Sequence, residues 1–209
     1  MKLVKILHAL GLAAGVLAAS AAAQAKDLTV GLIVPMSGPF AAHGKQITHG
    51  IDLYLAEHQQ TLGGRKVKLI IKDDTGIAPA VAKRLAQELL VKDKVDILAG
   101  FTLTPNAFSV APLATEAKVP MVVLNAATSS ITEKSPNIVR VSMTLPQDTA
   151  PMAQWAHANG IKKVYTLVAD YGPGHDAEAQ FKKTFVALGG QIVGEVRTPV
   201  NTPDYAPFL

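Results

Sequence analysis

At 209 residues, 49% hydrophobic and 17% charged, the chain has enough apolar material for one large or two small domains, which excludes a disordered segment. The net charge of +4 includes Lys2 and Lys5, and the other charges are scattered, with no basic stripe interleaved with aromatics; nucleic acid is therefore not an expected partner. Cysteine is absent, so the fold must rest on its core, and no cysteine is available to carry a lipid.

The first element has the layout of a cleavable export signal over residues 1–25. Lys2 and Lys5 form a positive start, Ile6 to Leu17 an apolar run, and Ala23-Gln24-Ala25 an A-x-A cleavage site. The run is too short to span a bilayer. The mature chain is expected to begin at Lys26, in the periplasm, without a membrane anchor.

Strands are predicted at Leu28–Val34, Val67–Lys72, Val95–Ala99, Met121–Leu124, Val139–Val141, Val164–Val168 and Gln191–Val196. Most are continuous apolar or β-branched runs, as expected where helices cover both faces of a parallel sheet. Helices fill the gaps. Ile47, Ile51, Tyr54 and Leu55 share one face, as do Val81, Leu85 and Leu89. Thr104-Pro105 reads as an N-cap followed by proline at the first helical position, and Pro112 should kink or shorten that helix. Met152, Trp155 and Ala156 mark a further helix, and Ala177, Phe181, Phe185 and Leu188 the next, with Trp155 and Phe181 expected in the core. The alternation implies right-handed crossovers and an α/β, doubly wound parallel sheet. A composition change near residue 145 suggests a passage into a second, similar lobe. The turn Asn201-Thr202-Pro203-Asp204-Tyr205 should lead into another helix, so the sequence reads as a C-terminally truncated fragment.

Ligands of open parallel sheets lie at the carboxyl ends of the strands. Three loops there carry hydroxyls and backbone N–H groups: Pro35-Met36-Ser37-Gly38-Pro39, Gly100-Phe101-Thr102-Leu103-Thr104 and Asn125-Ala126-Ala127-Thr128-Ser129-Ser130. Such donors suit a carboxylate. Other patterns are weaker. Gly172-Pro173-Gly174-His175-Asp176-Ala177 matches a dinucleotide fingerprint formally, but Pro173 removes an N–H that a pyrophosphate would need. Asp73-Asp74 reads as loop hydrogen bonding. The histidines lack ligand spacing, and no serine sits in a G-x-S-x-G elbow, so neither a metal, a cofactor nor a catalytic nucleophile is expected.

In order along the chain, Gly31-Leu32-Ile33-Val34-Pro35-Met36-Ser37-Gly38-Pro39 with His43-Gly44, Lys72-Asp73-Asp74, Val119-Pro120, Asn125-Ala126-Ala127-Thr128 and Asp170-Tyr171-Gly172 resemble the periplasmic solute-binding proteins of the leucine/isoleucine/valine type. The resemblance implies a type I periplasmic-binding-protein lobe over residues 26–144 and the start of a second over 145–209. It implies a monomeric, non-catalytic receptor that passes a small carboxylate to the membrane permease of an ABC transporter. By the same resemblance, Thr104 supplies a hydroxyl to the ligand carboxylate, and Ala126, Ala127 and Thr128 form the segment that binds the carboxylate and any ammonium. Tyr171 closes over the ligand from the second lobe, and Ser37 joins the set from the first loop. His43 stands where amino-acid binders often carry a tyrosine, which leaves side-chain specificity open. The acidic partner of an ammonium would lie beyond Leu209, so an amino acid and an aromatic or aliphatic acid remain alternatives. An exported α/β hydrolase or amidase, and the sensing domain of a regulator, stay open as other classes.

Overall fold

In the computed structural model, which describes residues 26–202 and 204–208, Leu28–Val34 forms β1 near the centre of a six-stranded sheet. The export signal read over residues 1–25 lies outside the described residues. Both faces of β1 are apolar because both are covered. Ile33 joins one core with Leu85, Leu89 and Val110, while Leu32 and Val34 join another with Ile47 and Ile51.

The chain continues through α1 (Ala41–Glu57), β2 (Thr61–Leu62), β3 (Arg65–Asp73), α2 (Pro79–Val91), β4 (Ile97–Gly100), α3 (Thr104–Ala117), β5 (Met121–Val123), a 3-10 turn (Ser129–Lys134) and β6 (Ile138–Arg140). The spatial order is β2-β3-β1-β4-β5-β6. Every pairing is parallel except β2 with β3, a short hairpin around Gly63-Gly64. From β1 the chain moves to β3 on one side, then returns past β1 to β4 and on to β5 and β6. That reversal opens a crevice between the carboxyl ends of β1 and β4.

A second sheet follows. It contains α4 (Leu145–Ala158), β7 (Lys163–Ala169), α5 (Gly172–Ala187) and β8 (Gln191–Thr198), with β7 and β8 parallel. Its core is Ala153, Ala156 and Phe185, with Phe181, Val164 and Ile192 packed against them. Gln147 reaches back to accept the Thr144 N–H at 2.7 Å, fixing the start of α4. Among the described residues, no helix is long and apolar enough to cross a membrane.

Two local expectations change. Trp155 is 62% exposed, because α4 buries the stripe Thr149, Ala153 and Ala156 instead, whose small side chains let α5 approach. Pro112 does not shorten α3, which runs on to Ala117. The proline is exposed, whereas Ala107, Val110, Ala111 and Ala114 anchor the opposite face and offset the lost backbone bond. Beyond residue 205 the described chain forms a 3-10 turn, Ala206–Phe208.

Candidate functional site

The exit from β4 is bent sharply by its own sequence. Gly100 has φ +113°, and a Cβ there would lie 2.1 Å from the Ile33 carbonyl oxygen, so only glycine fits. Phe101 follows at φ +61° and is fully buried, an aromatic held in a left-handed conformation. Its N–H donates to the Ile33 carbonyl at 2.9 Å, and its own carbonyl accepts from Ala126 N–H at 3.0 Å. The β4 loop is thereby tied to β1 on one side and to the β5 loop on the other.

The bend delivers Thr104 to the start of α3. The N-cap is Leu103, in an extended conformation, and not Thr104 as the sequence suggests; Thr104 is the first helical residue. Its hydroxyl is therefore not spent on capping. It hydrogen-bonds the Thr128 hydroxyl at 2.9 Å, and both side chains are buried.

Asn106, two residues on, locks this helix start. Its amide donates to Asp74 Oδ2 at 2.7 Å and to the Gly76 carbonyl at 2.7 Å, and its oxygen accepts from Ala78 N–H at 3.1 Å. Burial pushes the Asp74 carboxyl above the usual carboxylate range, against the pull of the Asn106 and Gly76 hydrogen bonds. Asp73 organises the β1 loop instead, accepting from the N–H groups of Met36 at 2.8 Å, Ser37 at 3.3 Å and Thr75 at 2.8 Å. Burial opposes ionisation of Asp73, but hydrogen bonds from Ser37, Thr75 and Met36 outweigh it and hold the carboxyl low. The two adjacent carboxylates thus serve different loops, the hydrogen-bonding role expected of them.

On the β5 side, Arg140 at the end of β6 donates to the Thr128 carbonyl at 2.7 Å and the Ser129 carbonyl at 3.0 Å. Burial lowers its pKa, and the nearby Asp176 carboxylate partly restores it. Ala126 is buried, and Ala127 uses its carbonyl to accept Leu145 N–H at 3.0 Å, joining this loop to the start of α4.

The second sheet meets the threonine pair through Gly172. A Cβ on Gly172 would stand 2.7 Å from Thr128 Oγ1 and 3.4 Å from Thr104 Cγ2. Tyr171, just before it, is extended and half-buried, and burial raises the pKa of its phenol. Thr104, Thr128 and the Tyr171-Gly172 turn therefore converge, with Ala126 and Ala127 in the adjoining strand exit. Ser37 and His43 are exposed. Ser37 is engaged with Asp73, and His43 lies beside Phe40, their rings 6.2 Å apart. No hydrogen bond links either residue to the threonine pair among the described residues.

Paired hydroxyls and backbone N–H groups can donate to an anionic oxygen without a formal positive charge at the contact. Among the described residues, no imidazole or carboxylate hydrogen-bonds either threonine hydroxyl, so no nucleophile–base pair is assembled there. Sequence reasoning did not find Asn106, Arg140, Gly172 or Asp176. Arg140 had one signal, a charge inside the short apolar strand Val139–Val141. Gly172 was visible in the formal dinucleotide pattern and in the Asp170-Tyr171-Gly172 segment, but its place is set by the close approach to Thr128.

A family model described as "Periplasmic binding protein" matches residues 27–209. The chain belongs to that family. Among its curated relatives in the periplasmic binding protein family, a Leu/Ile/Val-binding protein homolog 6 of Brucella abortus (strain 2308) is 48% identical over 191 residues, covering 91% of this chain and 49% of the relative. A solved ABC-transporter solute-binding protein from Rhodopseudomonas palustris BisB5, in complex with 3,4-dihydroxybenzoic acid, is 54% identical with a TM-score of 0.83, covering 87% of this chain and 50% of the other. Another, from R. palustris HaA2 in complex with p-hydroxybenzoic acid, is 55% identical with a TM-score of 0.84, covering 87% and 49%. The chain spans about half the length of these family members.

Proposed function

We propose that this chain is the ligand-receiving half of a periplasmic receptor for an ABC importer. Residues 26–144 form the first lobe and residues 145–209 begin the second. The receptor holds one small carboxylate between them and presents the closed form to a membrane permease. It acts as a monomer, without turnover, after export and cleavage following Ala25. The observation that carries this reading is the buried Thr104–Thr128 hydroxyl pair, with the Tyr171-Gly172 turn packed against it. Opposed donors from two lobes can surround a small anion and bury most of it.

The ligand class is an aromatic or branched aliphatic carboxylate. Benzoate derivatives are favoured by the relatives near 55% identity whose complexes contain them. Branched-chain amino acids are the alternative, suggested by the naming of the relative at 48%.

Calorimetry on the full-length protein with 4-hydroxybenzoate, 3,4-dihydroxybenzoate, benzoate and leucine tests the reading. Saturable one-to-one binding of at least one is expected, with no product formed. Thr104→Ala should weaken binding by about 1.5–3 kcal/mol if the hydroxyl donates to a carboxylate. An unchanged affinity in that variant would remove Thr104 from the site.

A further inference from the structure

Asp176 lies one turn beyond Gly172 on α5, so the two share a helix face. Where Gly172 rests on the threonine pair, Asp176 reaches the next residue of the same loop. Its Oδ2 accepts the Ser129 N–H at 2.5 Å, across the junction of the two lobes. The other side of that loop is held by Arg140, whose guanidinium binds the Thr128 and Ser129 carbonyls. Arg140 therefore fixes the peptide whose N–H meets Asp176, and its positive charge lies close enough to attract the carboxylate. Asp176 sits past the first turn of α5, whose first turn carries no acidic residue, so it is not serving as that helix's own cap. The contact uses protein groups alone, one from each lobe, beside the threonine pair.

We infer that Asp176 is a positioning residue that latches the second lobe onto the Thr128-Ser129 loop, setting the closed-state population and the ligand's residence time without taking part in ligand recognition. This rests on the two-lobed receptor reading for its consequence on binding, but the latch itself can be measured without ligand. A ligand that needs the closed form is released only after the latch opens, so weakening it acts on dissociation more than on association.

The experiment uses the full-length protein with spin labels at Glu116→Cys and Lys183→Cys, one exposed position on each lobe. This chain has no native cysteine to compete for label. Without ligand, Asp176→Ala should move the inter-lobe distance distribution toward longer values. Asp176→Asn keeps an acceptor oxygen but loses the charge, and should fall between it and the parent. With 4-hydroxybenzoate as the probe, Asp176→Ala should release it about tenfold faster, about 1.4 kcal/mol. Association rate, melting temperature and the affinity ratio between 4-hydroxybenzoate and benzoate should stay the same. An unchanged distance distribution in folded Asp176→Ala overturns the latch. A changed affinity ratio also overturns it, because Asp176 would then be reading the ligand. If none of the carboxylates binds the parent protein while the distances still shift, the receptor's ligand class fails and the latch stands.

Discussion

Removing the Asn106 side chain tests the internal lock behind the site. Asn106 is fully buried and makes three hydrogen bonds, to Asp74, the Gly76 carbonyl and the Ala78 N–H. Asn106→Ala would orphan two backbone groups and strip the buried Asp74 carboxylate of its 2.7 Å partner. At about 1–3 kcal/mol for each unsatisfied buried group, partly offset by relaxation, the loss should total about 3–5 kcal/mol near neutral pH. The pH dependence separates this account from simple loss of packing. Asp74 already has a folded pKa above the usual carboxylate value, so its ionisation costs stability and the cost disappears as pH falls. Losing the Asn106 donor raises that pKa further. The gap between parent and variant should therefore narrow as pH drops toward about 4, the ordinary carboxylate range. Urea unfolding followed by circular dichroism, on the full-length protein at several pH values, measures both quantities. A loss under about 1 kcal/mol, or a gap that widens in acid, would refute the reasoning.

Gly172→Val should place a branched side chain against Thr128 Oγ1, where even a Cβ has only 2.7 Å. An overpacking cost of about 1–3 kcal/mol at the lobe junction translates into roughly five- to 150-fold weaker carboxylate binding with an unchanged circular dichroism spectrum, which calorimetry would read. Asp73→Asn should flatten the acid limb of stability. Asp73 has a depressed folded pKa, so its contribution is present above the ordinary carboxylate value and is lost as pH falls through the folded one. Urea midpoints between neutral pH and about 3 would show a smaller acid-induced drop in the variant than in the parent.

Much of the fold was legible because its strands are long apolar runs. Leu28–Val34 was bounded to the residue, and Ala177, Phe181 and Phe185 all fall within α5. The two-residue strand Thr61–Leu62 carries too little pattern to register; it exists because Gly63-Gly64 turns the chain back onto β3. Trp155 misled because hydrophobicity alone assigned it inward, while the contact between α4 and α5 selected the smaller Ala153 and Ala156. At the site, Thr104 and Thr128 could be singled out as hydroxyls at strand exits. Their direct bond could not, because it depends on Phe101 taking a backbone conformation that its residue type disfavours. The Asp176–Ser129 contact joins a helix to a turn 47 residues away in sequence, and no local pattern encodes such a pairing.

The placement of β1 has a consequence for how the molecule assembles. The first strand among the described residues is an interior one, and its two neighbours begin only at Arg65 and Ile97. A polypeptide emerging N-terminus first exposes this apolar segment long before either flank exists to pair with it. Sheet closure must wait on non-local contacts, which slows folding and lengthens the interval in which the chain stays extended. That delay makes Leu28–Val34 the segment most exposed to wrong pairing before the sheet closes.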